Sequence, residues 1–277
     1  CMTIPFVDLK AQYSTIKTEI DTAIAKVIDE TAYIGGKYVF EFEQKFALKY
    51  GVKHCISTAN GTDSLYIIMK ALGIGPADEV ITVANSWIST SETITQCGAR
   101  PIFTDIDRIY YTIDESRIEE KINSKTKAII PVHLFGQMCE MNKIVEIAKK
   151  YNLVIIEDCA QSHFSVFNEK YAGTLGIAGS FSFYPGKNLG AYGDAGAIIT
   201  NDDELATRCK MFARHGALIK HQHIIEGINS RLDGIQAAIL TVKLDYINEW
   251  TQKRIEISNY YTSLLKDLPN LIVPSIR

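Results

Sequence analysis

Leu153-Val154-Ile155-Ile156-Glu157-Asp158 decides the fold. Four apolar residues run without a break and stop at two carboxylates. A strand with one face in water alternates apolar and polar residues. A strand apolar at every position is buried on both faces, as strands are in a parallel sheet covered by helices. Ala128-Ile129-Ile130 carries the same signature upstream. Between the two runs, residues 141–150 are amphipathic at helical spacing, which suits the crossover that parallel strands require.

Working outward, short apolar runs alternate with longer amphipathic ones. Strands are expected at 54–58, 79–83, 100–104, 126–131 and 153–156, and helices at 61–71 and 87–96. Downstream, 180–183 and 197–200 read as a close strand pair, followed by helices at 203–214 and 231–265. Ile16, Ile20, Ala23, Ile24 and Val27 recur at helical spacing near the start, and Leu271-Ile272-Val273 looks like a new strand. The expectation is an α/β fold with a mostly parallel mixed sheet flanked by helices. Residues 1–30 form a helical segment, 31–245 a large domain, and 246–277 the start of a smaller C-terminal domain. Sites in such sheets lie at the carboxyl ends of the strands.

Composition narrows the class. The chain has 277 residues, 29 Lys plus Arg against 32 Asp plus Glu, and a net charge of -3. With 47% hydrophobic and 22% charged residues, it is neither disordered nor fibrous. No basic run offers a nucleic-acid footprint, and no apolar run approaches the roughly 18 residues of a membrane span. The opening Cys1-Met2-Thr3-Ile4-Pro5 lacks the charged and apolar regions of a secretory leader, and Cys1 is set aside. Cys55, Cys97, Cys139, Cys159 and Cys209 form no CxxC pair, which suits free thiols in a reducing cytoplasm.

Five local features fall where such a sheet offers a site. Asn60-Gly61-Thr62-Asp63-Ser64 joins a strand to a helix, so it is either a capped turn or an anion cradle at a helix N-terminus. Trp87 follows a strand and is either core or a stacking platform. Glu157-Asp158 ends a buried strand as a cap, a salt bridge, or a fixed charge for a cationic ring nitrogen or a metal; Gln161 and His163 follow closely. Lys187 is the only charge in Ser180-Phe181-Ser182-Phe183-Tyr184-Pro185-Gly186-Lys187-Asn188-Leu189-Gly190. It is a snorkelling residue or a desolvated amine ready for Schiff-base chemistry. Gly227-Ile228-Asn229-Ser230-Arg231 reads on its own as a loop before a helix. No zinc motif, GxGxxG, GxSxG or P-loop lysine motif is present.

In this order, residues 60–65, 78–90, 98–107, 126–136, 156–163, 180–200 and 214–240 resemble one family. It is the pyridoxal-phosphate-dependent nucleotide-sugar aminotransferases of the DegT/DnrJ/EryC1/StrS type. The most specific part is Glu157-Asp158-Cys159-Ala160-Gln161 paired with the Ser182–Gly190 run. The resemblance implies a fold type I transferase with pyridoxal 5'-phosphate attached to Lys187 and Asp158 paired with its ring nitrogen. It implies Trp87 on the ring, Gln161 near the ring hydroxyl, and Gly61, Thr62 and Ser182 at the phosphate. Asn229 would reach the phosphate of a neighbouring subunit, making a homodimer with shared active sites. The implied substrates are an amino-acid donor, glutamate by family habit, and a keto-deoxy nucleotide sugar, dTDP-linked and aminated at C3 or C4. The setting would be polysaccharide or antibiotic sugar biosynthesis. The family's chains run well past this length, which implies that most of the small domain lies outside these residues. Asp194-Ala195-Gly196 departs from a commoner Asp-Gly-Gly. Related dehydratases carry histidine at the Lys187 position, so that position discriminates; a non-catalytic regulatory relative is the other rival.

Overall fold

The computed structural model describes residues 4–277; Cys1, Met2 and Thr3 lie outside the described residues. The chain begins with three helices, α1 (Leu9–Thr15), α2 (Lys17–Asp29) and α3 (Lys37–Tyr50). It continues through β1 (His54–Thr58), α4 (Gly61–Ala71), β2 (Glu79–Val83), α5 (Ser89–Gln96) and β3 (Arg100–Thr104). Next come β4 (Thr126–Ile129), α6 (Met141–Tyr151) and β5 (Val154–Asp158), then a small hairpin of β6 (Val166–Phe167) and β7 (Lys170–Tyr171). The last elements are β8 (Ala178–Ser182), β9 (Gly196–Thr200), α7 (Asp203–Phe212) and α8 (Gly234–Leu265).

Seven strands form one sheet in the order β1-β9-β8-β5-β4-β2-β3. Only β9 runs antiparallel to its neighbours. The carboxyl ends of the other six therefore share one edge. Alternation along each strand loads both faces. Ile155, Ile129, Ile81 and Ile199 pack under α3, α6 and α8, while Ile156, Ile130, Val80 and Ile198 pack with residues of α4, α5 and α7. This two-sided burial is what the unbroken apolar runs required. It also sets the faces of the acidic pair, with Glu157 on the α3 side and Asp158 on the α4 side.

The structure moves several of the expected boundaries by one to three residues, and it departs further at the following places. The helix after β2 starts at Ser89, so Trp87 precedes it, and the long helix starts at Gly234. Residues 271–273 form no strand, and Ile272 is 85% exposed; without a partner strand the backbone has no ladder to join. α3 is a helix beyond those expected, and its Val39, Phe42, Phe46 and Tyr50 follow helical spacing and are all buried. Their rings meet Phe181 and Phe183 edge-on at 5.1–5.4 Å, which fastens α3 beneath β8 and the loop after it. The five described cysteines are free, and among the described residues no helix is long and apolar enough to cross a membrane.

Candidate active site

Six strand ends and two helix starts converge on one edge of the sheet. β5 ends at Asp158, whose backbone stays in the ladder by bonding to Pro131 O and His133 N. Its carboxyl is buried and accepts from Thr90 Oγ1 at 2.8 Å and Ala160 N at 3.2 Å. Burial pushes its pKa up, while those two donors and the charge of Lys187 oppose the shift. A buried carboxylate with only two hydrogen bonds retains unmet demand for a cation.

Glu157, one residue earlier, is fully occupied. Oε2 accepts from Gly173 N at 2.8 Å and pairs with His133 Nε2 at 2.9 Å, and Oε1 accepts from Leu175 N and Gly176 N at 2.7 and 2.6 Å. His133 Nδ1 accepts from Cys139 N at 3.2 Å, which puts the ring proton on Nε2, facing Glu157. Cys159 lies in the same group, with ligand atoms within 4.8 Å of one another. Burial holds its thiol well above the ordinary range, so it is protonated. Glu157 is thus held by four partners, and Asp158 is the carboxylate of the pair with the fewer hydrogen bonds.

Lys187 sits in a loop that closes on itself. Ala191 N bonds Phe183 O at 2.8 Å, Phe183 N bonds Ala195 O at 2.7 Å, and Lys187 N bonds Tyr184 O at 2.8 Å. A Cβ on Gly190 would lie 2.4 Å from Pro185 O, so only glycine allows this closure. From α8, the buried Lys243 donates to Gly190 O at 2.7 Å and lies 4.2 Å from the centre of the Tyr192 ring. The Lys187 amine is half-buried; burial lowers its pKa and the Asp158 charge partly offsets that. A lowered pKa supplies more neutral amine, the nucleophilic form, near neutral pH.

The third component is an anion cradle. Asn60 Oδ1 caps α4 by accepting from Asp63 N at 2.7 Å, and Ser64 N bonds Asn60 O. The first-turn N–H groups of Gly61 and Thr62 are the ones left over for a ligand. A Cβ on Gly61 would come within 2.7 Å of Ser182 Cβ, so the helix start and the end of β8 are in contact because residue 61 has no side chain. Thr62 Oγ1 lies 2.7 Å from Ser89 Oγ, joining the α4 and α5 starts. Asn60 is therefore the cap, and the capped turn and the cradle are the same feature.

The remaining expected residues divide. Trp87 is 74% exposed, which removes the core reading and leaves a large flat face open beside the site. Gln161 is half-buried, and its Oε1 accepts from Phe135 N at 2.9 Å. Asn229 is exposed and joins none of these hydrogen bonds; its neighbour Ser230 is buried and accepts from Ala59 N at 3.0 Å. Thr90, Ser89 and Lys243 were not singled out from sequence. A lone lysine in the apolar run Ala237–Leu244 was the available signal for Lys243.

A buried acid, a desolvated lysine and an N–H cradle match the sequence comparisons. The DegT/DnrJ/EryC1/StrS aminotransferase family matches residues 14–277. The chain belongs to this family. One member, "dTDP-3-amino-3,6-dideoxy-alpha-D-galactopyranose transaminase" of Aneurinibacillus thermoaerophilus, is 48% identical over 273 residues, covering 99% of this chain and 75% of that protein. Another, a "Pleiotropic regulatory protein" of Geobacillus stearothermophilus, is 46% identical over 266 residues, covering 96% of this chain and 72% of its own length. Among solved structures, S. venezuelae DesV in complex with a ketimine intermediate superposes with a TM-score of 0.98 at 37% identity, covering 100% of this chain and 75% of that one. Family membership makes the fold that of the aminotransferases.

Proposed function

We propose that the protein moves an amino group from an amino acid, glutamate by family habit, to a keto-deoxy nucleotide sugar, using pyridoxal 5'-phosphate. The observation that carries this reading is the pairing of Asp158, buried and short of a cation, with Lys187, a half-buried amine of lowered pKa. The donor set fits the cofactor. Asp158 offers its charge to the ring nitrogen, and the Gly61 and Thr62 N–H groups with the Ser182 hydroxyl suit a dianion. The exposed Trp87 face would stack on the ring, and Gln161 would meet its hydroxyl. When bound, the cofactor supplies the electron sink that amino transfer requires.

The chain's own residues supply the rest. Thr90 and Ala160 N fix the Asp158 carboxyl against rotation. Lys187 anchors the cofactor and, once displaced by the donor, is a free amine able to take and return a proton at the donor's Cα. Lys187 at this position favours transamination over the histidine-bearing dehydratases. The regulatory name of one relative keeps a non-catalytic role in view, and absorption of bound cofactor at visible wavelengths separates the two. The loss of burial along α8 after Ile247 supports 31–245 as the cofactor-binding unit. Free buried thiols support a reducing compartment, the cytoplasm.

The test is a panel of 3-keto and 4-keto nucleotide sugars, dTDP- and UDP-linked, with glutamate. Amination of at least one, with release of the keto acid, is expected. Bound cofactor without conversion of any keto sugar would overturn the assignment.

We further infer a homodimer in which Asn229 serves the partner's site. Its exposure, apart from the hydrogen bonds of its own site, supports this. Mixing inactive Lys187→Ala chains with cofactor-weakened Asn229→Ala chains gives, after exchange, one site with both lesions and one with neither. Activity is expected to recover towards the wild-type value per intact site. No recovery despite exchange would place Asn229 in its own subunit's site or outside any.

A further inference from the structure

Lys243 is 1% exposed, on the part of α8 whose side chains enter the core. Taking an ammonium out of water is costly, and the interior returns little of that cost here. The amine makes one hydrogen bond, to Gly190 O at 2.7 Å, and lies 4.2 Å from the centre of the Tyr192 ring. Burial lowers its pKa to about 8, with no anion to oppose the shift. Packing alone asks for an apolar residue at this position, as at its neighbours Leu240, Leu244 and Ile247. Both contacts of the amine fall on one segment, the arm that follows Lys187. α8 takes a second hold on that arm. Gln236 lies seven residues before Lys243, two turns back on the same side of the helix, and its Oε1 accepts from Tyr192 N at 2.8 Å. Gly190 is buried, and Lys243 is the one donor that its carbonyl has among the described residues. A buried carbonyl requires a donor, but a neutral side chain would serve at lower cost.

We propose that Lys243 is a positioning residue for Lys187: its ammonium holds Gly190 O, fixes the arm three residues beyond Lys187, and so sets where the Lys187 amine stands relative to Asp158. The other bonds of the loop show why this one contact matters. Closure needs no side chain, because Ala191 N bonds Phe183 O and Phe183 N bonds Ala195 O. Inside that closure, residues 187–190 are held at three points. Lys187 N bonds Tyr184 O, Asn188 Nδ2 donates to His163 O at 3.3 Å, and Gly190 O accepts from Lys243. The first bond lies within the loop's own turn, and the second is long. The Lys243 bond is the short one that ties the segment to a helix. A charge-assisted hydrogen bond is roughly twice as strong as a neutral one, which is what an ammonium adds over a neutral donor. Precision is worth that cost, since a reacting group displaced by about 1 Å can lose on the order of 100-fold in rate. The inference rests on the proposed function for the job that Lys187 performs, but the clamp itself is present without cofactor.

The test is Lys243→Met, which keeps an unbranched stem and removes the donor. In the full chain freed of cofactor, hydrogen–deuterium exchange read by mass spectrometry compares the peptide spanning 184–190 with peptides from β8 and β9. The variant is expected to exchange at least ~10-fold faster in the Lys187 loop, the effect of one hydrogen bond to a charged group, and to exchange unchanged in the two strands. In the loaded enzyme, kcat is expected to fall at least ~10-fold with KM for donor and sugar unchanged. Unchanged loop exchange would overturn the proposal. Equal loosening of β8 and β9 would overturn it as well, making Lys243 a packing residue of the whole sheet. A loosened loop with normal kcat would do the same, by showing that Lys187 stands correctly without the clamp. Should Lys243→Met not fold, Lys243→Gln, whose donor is one bond shorter in reach, is read by the same criteria; if neither folds, Lys243 serves folding and the proposal falls. Wild-type protein that aminates no keto sugar would sink the proposed function and leave the exchange result readable. Normal wild-type turnover that Lys243→Met matches would sink this inference alone.

Discussion

Borohydride reduction of the protein loaded with pyridoxal phosphate will fix the label on Lys187, and Lys187→Ala will lose at least ~1,000-fold in turnover. Two lysines of this chain are buried enough to have depressed pKa values, and the structure distinguishes them. Lys243 is the more buried, with its pKa lowered to about 8. Its amine, however, is already held by Gly190 O and covered by the Tyr192 ring. It has no carboxylate beside it and no strand end opening towards a ligand. Lys187 is half-buried, on the loop that faces the Asp158 edge, and the carboxylate acts on its charge. Nucleophilicity requires a neutral amine that a ligand can reach, and only Lys187 meets both conditions. Peptide mapping checks the first statement. Label on Lys243, or on the exposed Lys170 or Lys220, would overturn the mechanism. The Lys187→Ala protein is expected to retain its fold, because the loop is closed by backbone bonds and by Lys243 rather than by the Lys187 side chain.

The sheet was legible because its strands are buried on both faces. That condition writes itself into Ala128-Ile129-Ile130 and Val154-Ile155-Ile156 as runs without alternation, and the carboxylates that stop the second run marked the edge that matters. Lys187 was legible for the opposite reason, as a single charge in an aromatic segment. What sequence could not give were contacts set by register. Ser182 meets Gly61 only because β8 lies beside β9, which pairs with β1. Nothing local to either residue announces that neighbour. Trp87 shows the same limit: a tryptophan at a strand end suits the core or the open face equally, and the start of α5 at Ser89 put it outside. Thr90 reads as an ordinary helix residue until the fold aims its hydroxyl at Asp158. The hold of Lys243 on Gly190 O is likewise a property of packing, visible only when every neighbour is in place.

Asp158→Asn is expected to separate stability from turnover. The carboxylate is buried, and its pKa is raised because burial outweighs the donors from Thr90 and Ala160 N. A group whose folded pKa lies above its unfolded value favours the fold most below the unfolded pKa, and that contribution is lost as pH rises through the folded pKa. At neutral pH, then, the Asp158 charge costs the cofactor-free protein stability. Asparagine removes that cost and keeps the geometry. Its oxygen still accepts from Ala160 N, and its amide donates to Thr90 Oγ1, whose hydrogen turns to Ser86 Oγ 2.7 Å away. The cofactor-free variant should therefore melt no lower than wild type at neutral pH, with the difference vanishing towards acid. Turnover moves the other way. Without the anion, the ring nitrogen loses the partner that holds it protonated, and breaking a buried charge pair costs on the order of 3–5 kcal/mol. If that loss falls on the transition state, the rate drops by at least ~100-fold, at roughly 1.4 kcal/mol per decade. Thermal melts across pH and steady-state rates on the same preparation check both halves. Near-normal turnover would make Asp158 a structural cap, and a lowered melting temperature would mean that the carboxylate is already fully paired within the protein.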